Sequence, residues 1–117
     1  MRKTPHVTLR PSWCVGPLWI RWSEGIAEPH DADEAAAVLG LDDDLRAAIT
    51  AWDERFQATF DPTYPPDSAF PTSEDEAAWL TEGRRLALRL RAALPHLSVD
   101  HETIGGRAVP LDEDTPL

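Results

Sequence analysis

Two stretches of the chain carry apolar residues at the spacing of a helix face. Over residues 71–95, PTSEDEAAWLTEGRRLALRLRAALP, the positions Trp79, Leu80, Gly83, Leu86, Ala87, Leu90, Ala93 and Leu94 share one arc. At about 100° per residue that arc spans roughly 140°, wide enough to face a core. Ser73 and Glu76 have the spacing of a capping box, so this helix is expected to open at Ser73. Glu74, Asp75 and Glu76 fill its first turn and Arg84, Arg85, Arg89 and Arg91 its second half, a distribution that opposes the helix dipole; Pro95 stops it. Leu88 points away from the stripe, with Ala77 and Ala92 beside it. In the second stretch Leu45, Ala48, Ile49, Trp52, Phe56 and Phe60 keep to one face, which predicts a helix of about 18 residues behind an Asp42 cap. The two helices are expected to pack on each other, antiparallel or crossed.

Gly83 lies in the middle of the buried arc, where glycine costs about 1 kcal/mol of helix propensity against alanine. Close approach of a backbone or a tryptophan ring is the expected compensation; a ligand pocket is the alternative.

Elsewhere the period falls to two. Val7 and Leu9 alternate with polar neighbours and predict a strand that Pro11 interrupts. After the Gly16-Pro17 turn signal, residues 18–22 read as a second extended segment. Leu97, Val99, His101 and Thr103 alternate as a third strand, closed by Gly105-Gly106. Between them, Asp31 and Glu34 cap a short helix that Gly40 ends in the left-handed conformation. Residues 61–71, DPTYPPDSAFP, hold four prolines and make a stiff bridge between the long helices, carrying Tyr64 and Phe70. The pattern predicts one α+β domain over residues 1–111 and a frayed acidic tail over 112–117. Its small antiparallel sheet would combine the N-terminal extended segments with the C-terminal strand. Two long helices and one short helix would pack on it.

Composition adds charge to this picture. The 117 residues carry a net charge of −10, which disfavours nucleic acid and anionic membrane as partners. Nine of the 21 acids, Asp31, Asp33, Glu34, Asp42, Asp43, Asp44, Glu74, Asp75 and Glu76, stand at helix starts and have a structural reason to be there. The remaining excess points to a basic protein partner. No apolar run approaches the length of a membrane helix or a signal-peptide core, and cytoplasmic localisation is expected.

Candidate chemistry is sparse. Cys14 has no partner for a disulfide and lies in an apolar segment, where a structural thiol is expected. His96, His101 and Glu102 cluster in sequence, but on a strand His101 and Glu102 face opposite sides, so no ligand set converges. The Asp42-Asp43-Asp44 run lacks the alternation of a calcium loop. No cofactor, metal or catalytic residue is predicted, and the chain is not expected to be an enzyme.

WDERF, the proline bridge and FPTSEDEAAWLTEGRRLALRL together resemble small acidic proteins of high-GC actinobacteria with Trp-x-x-x-Phe, a Pro-rich link and Trp-x-x-x-Gly-x-x-Leu; ten arginines against one lysine fit such a genome. The resemblance covers roughly residues 38–100. It is a packing pattern and implies no catalytic residue. In size and charge the chain is also similar to immunity proteins that neutralise antibacterial toxins, which implies a protein-binding module that occludes a toxin's active site. The acids not explained by capping, together with nearby aromatics, give the expected contact surface: Asp53, Glu54, Asp61, Tyr64, Asp67 and Phe70, with Trp19 and Trp22 as reserve anchors. The alternative is a small enzyme or ligand-binding domain with a pocket near Gly83.

Overall fold

The structure, a computed structural model, describes residues 6–13, 15–22, 25–60, 63–64 and 69–111. In chain order it contains β1 (His6–Leu9), β2 (Leu18–Arg21), β3 (Glu28–His30), α1 (Ala32–Leu39), α2 (Asp43–Gln57), α3 (Ser73–Ala93), β4 (Ser98–Thr103) and β5 (Arg107–Val109), with a turn of 3-10 helix at Ile104–Gly106 before β5. The five strands form one sheet in the order β3-β2-β1-β4-β5.

The α+β class stands, but the sheet is mixed. β1–β2, β2–β3 and β4–β5 are antiparallel, whereas the central pair β1–β4 runs parallel, Val7 opposite Val99 and Leu9 opposite His101. The reason lies in α3. Only residues 94–97 separate it from β4, so the direction of β4 depends on where α3 delivers the chain, which alternation within a strand does not encode.

Side-chain alternation makes the sheet two-faced. Val7, Leu9, Leu18, Ile20, Val99 and His101 are buried on the helical side. His6, Trp19, Arg21, Asp100 and Glu102 occupy the other side and are exposed or half-buried. There His6 Nε2 lies 2.7 Å from Asp100 Oδ2, and the Arg10 guanidinium sits 5.2 Å above the centre of the Trp19 ring.

Leu45, Ile49, Trp52 and Phe56 of α2 meet Trp79, Gly83, Leu86, Ala87 and Leu90 of α3 in the core. Leu94 is buried just past α3, Leu80 and Leu88 pack at its margin, and Ala93 is exposed. The Trp52 and Trp79 rings stack at 4.4 Å with 2° between their planes. Gly83 is where Trp52 fits: a Cβ there would stand 2.7 Å from Trp52 Cζ2. The close approach of a tryptophan ring therefore compensates the glycine, and the pocket considered at Gly83 is filled by indole.

Two helix ends and two edge strands differ from expectation. The α3 cap is Thr72, not Ser73: its backbone is extended and its hydroxyl accepts from the Asp75 N–H at 3.0 Å. A β-branched residue suits the extended cap position, and Ser73 becomes the first helical residue. α2 ends at Gln57 rather than Phe60, because the Thr59 hydroxyl donates to the Phe56 carbonyl at 2.6 Å while the Thr59 and Phe60 N–H groups take tight three-residue bonds. Two strands, β3 and β5, were not expected; each has three residues at a sheet edge, too few to show a period, and Pro29 is tolerated on an edge. The Asp31 and Asp42 caps and the left-handed Gly40, at φ 77°, match expectation. Cys14 and the tail 112–117 lie outside the described residues.

Candidate functional site

A cleft opens where the end of α2 meets the start of α3. It has a volume of about 430 Å³, with Ala58, Ala69, Phe70, Pro71, Ala78 and Trp79 as its apolar walls and Arg55, Thr59 and Asp75 among its polar lining. The sequence builds this place locally. α2 stops early at Gln57, α3 starts at Ser73, and the small Ala58, Ala69 and Ala78 line the space beside these ends. Phe70 packs on Trp79 at 5.1 Å between ring centres. Trp79 is 1% exposed and stacks on both Trp52 and Phe56, so it closes the bottom of the cleft without presenting a free ring face.

The structure divides the expected contact residues. Phe70 lines the cleft. Tyr64 is 56% exposed, and Glu54 is exposed on the outer side of α2. Asp53 is half-buried on the flank of α2 away from Arg55; the Gln57 amide donates both to Asp53 Oδ1 at 3.1 Å and to the Ser12 carbonyl at 2.8 Å. Burial raises the Asp53 carboxyl above the usual carboxylate value; the Gln57 hydrogen bond offsets part of this, and the neighbouring Glu54 charge adds to it. Asp61 and Asp67 lie outside the described residues.

The reserve aromatics lie apart from the cleft. Trp19 is half-buried on the open face of the sheet, and its indole N–H meets no acceptor among the described residues. Trp22 is 50% exposed and lines a second groove with Val38, Leu94, Pro95, His96 and Leu97. Trp13, the remaining tryptophan of the N-terminal segment, lies flat on Phe56 with ring centres 5.0 Å apart and donates to the Thr59 hydroxyl.

Sequence reasoning missed Arg55, the cationic wall of the cleft, and two buried polar groups, Arg84 and His101. Arg84 stands in the run of α3 arginines that suits the helix dipole, yet it is buried and its Nε donates to the Pro110 carbonyl at 3.0 Å. His101 donates from Nδ1 to the Leu9 carbonyl at 2.9 Å and meets Trp52 edge-on. Burial lowers its pKa, the hydrogen bond to Leu9 works against that, and the Arg84 charge lowers it further. Among the described residues no three His, Cys, Asp or Glu side chains converge on a point that could hold a metal ion. Among those residues, too, no helix is long and apolar enough to cross a membrane.

Residues 5–101 match the family model described as Serratia CdiI immunity protein-like. The match covers well over half of the sequence, and the chain belongs to that family. No curated protein matches it.

Proposed function

We propose that the protein is an immunity protein of contact-dependent inhibition, which binds a cognate toxin in the cytoplasm and neutralises it by occluding the toxin's active site. Membership of the immunity-protein-like family carries this reading. The net charge of −10 supports a basic toxin domain as the partner. A binding role also agrees with a family whose members are typically not enzymes.

The contact surface we propose is the side of the molecule where α2 ends and the proline bridge begins. Asp53, Glu54, Asp61 and Asp67 supply its charge, Tyr64 and Phe70 its aromatic contacts. Trp19 and Trp22 are held as reserve anchors on other faces. A proline-rich segment loses little conformational freedom on binding, which favours tight association.

The test is growth protection. A toxin domain encoded beside this gene, expressed alone in a heterologous host, should arrest growth, and co-expression of this chain should restore it. The purified pair should form a stable complex in which the toxin's activity is lost. If the chain neither protects nor binds, the reading is overturned; a complex that leaves the toxin active overturns active-site occlusion.

A further inference from the structure

The two buried basic side chains, His101 and Arg84, meet at one edge of the core. His101 is the register partner of Val109 on β5, and Arg84 reaches from α3 to donate to the carbonyl of Pro110, the next residue along. Around the His101 ring stand the Leu9 carbonyl from β1, the Trp52 ring from α2 and the Arg84 charge from α3. Glu102 is the carboxylate whose charge bears on the ring, but as the next residue of β4 it points to the other face of the sheet, where it lies 3.6 Å from Arg10 Nε. A proton on His101 therefore sets a second cation beside Arg84 where little water screens either.

Residues 107–111 are the part best able to give way. β5 has three residues at the sheet edge, and Arg107 and Ala108 are exposed. Beyond the ladder to β4, the segment is held by the Arg84 bond to Pro110 and by Leu111, which is buried in the core. α3 runs for 21 residues and β1 is paired on both sides, so displacing either breaks far more of the fold.

We propose that residues 107–111 form an acid-released latch: when His101 takes a proton, its repulsion with Arg84 is relieved by breaking the bond to Pro110 and lifting Leu111 out of the core. Opening lets water reach the ring and leaves the edge of β4 unpaired, while the helices and the other four strands stay in place. The depressed pKa of His101 agrees with this, since burial and the Arg84 charge oppose the proton only while the latch is closed.

Deuterium exchange of the full chain, read by mass spectrometry, follows the latch through peptides covering residues 104–111 and the core through peptides of α2 and α3. The latch peptides should exchange at least about tenfold faster than the core at neutral pH, and low urea should hasten the core but not the latch, which marks a local opening. After correction for the intrinsic effect of pH on exchange, the latch should open about three to ten times more often at about pH 5.5 than at about pH 7.5; tenfold is the limit for one proton with an ordinary value of 6.5. His101→Gln should remove this acid effect. Arg84→Gln, which keeps an N–H donor without the charge, should make it smaller. The proposal is overturned by any of three results in these experiments: latch exchange that does not respond to acid, latch exchange that tracks the core in rate and urea dependence, or an acid effect that persists in His101→Gln. The first two are read in the parent chain alone.

Discussion

Trp52 and Trp79 exchange hydrogen bonds: the indole N–H of Trp52 donates to the backbone carbonyl of Trp79 at 3.0 Å, and that of Trp79 donates to the carbonyl of Trp52 at 2.9 Å. The rings lie face to face between the two helices. Each tryptophan thereby satisfies its own buried donor and gives the partner's main-chain oxygen a bond outside its helix.

Loss of one member should cost more than its contact area suggests. Trp79→Phe leaves the second bond to the Trp52 carbonyl unmade and opens a gap beside Phe56 and Phe70, for an expected loss of about 2–4 kcal/mol. Trp52→Phe should cost a similar amount. Because the two bonds act as one unit, the double variant should lose less than the sum of the singles by about 0.5–3 kcal/mol, read from urea melts. Additive losses would mean that the two bonds are energetically separate.

Gly83 is the geometric condition for that stack. Gly83→Leu should destabilise by about 1–3 kcal/mol in spite of the gain in helix propensity. Gly83→Ala is the finer test, since a single Cβ already comes within 2.7 Å of a ring carbon of Trp52. Alanine should also destabilise in a denaturant melt, where an exposed helical glycine would instead gain stability.

Acid should weaken the fold through His101. Its pKa in the folded chain is depressed below the ordinary 6.5, so between the two values the unfolded chain binds the extra proton. Stability is then full above the ordinary value and declines as pH falls below it, until the buried ring itself protonates, with a slope of up to about 1.4 kcal/mol per pH unit. Urea midpoints at about pH 7.5 and about pH 5.5 should show the fall, and His101→Gln should flatten it. An unchanged slope in the variant would assign the pH dependence to other groups.

If the toxin is basic, the proline bridge should govern how fast it arrives. Reversing Asp61 and Asp67 to lysine should slow association and flatten its dependence on salt, with the fold unchanged. Stopped-flow association at two salt concentrations, against the toxin domain that the chain protects from, gives the answer. An unaltered on-rate would move the contact surface elsewhere.

What could be read from the sequence was whatever repeats over several turns or is fixed by a local bond. The apolar stripes of α2 and α3 and the Asp31, Asp42 and Gly40 caps are of this kind, because period and capping are properties of neighbouring residues. The tryptophan ring against Gly83 was also within reach, since a glycine central to a buried stripe requires a close neighbour. Three-residue edge strands carry no period, and β3 and β5 stayed invisible. The parallel β1–β4 pair depends on where α3 delivers the chain, and Arg84 is indistinguishable in sequence from the exposed arginines around it. Phe70, singled out in the sequence on the proline bridge, lines the cleft, but the cleft itself depends on Thr59 ending α2 early and on small residues that tertiary packing brings together, and neither is written at any one position.

The place of β1 in the middle of the sheet sets the order in which the protein can be completed. The His101 bond to the Leu9 carbonyl joins residues 92 apart, and one side of β1 has no strand partner until β4 has been made. β1, β2 and β3 can pair early, but the core that buries their inner face is not complete until α3 arrives. Closure of such distant contacts is slow compared with helix formation. During synthesis the chain therefore passes through a stage in which most of it exists without its central pairing, and the finished surface appears only after residues near 100 have left the ribosome.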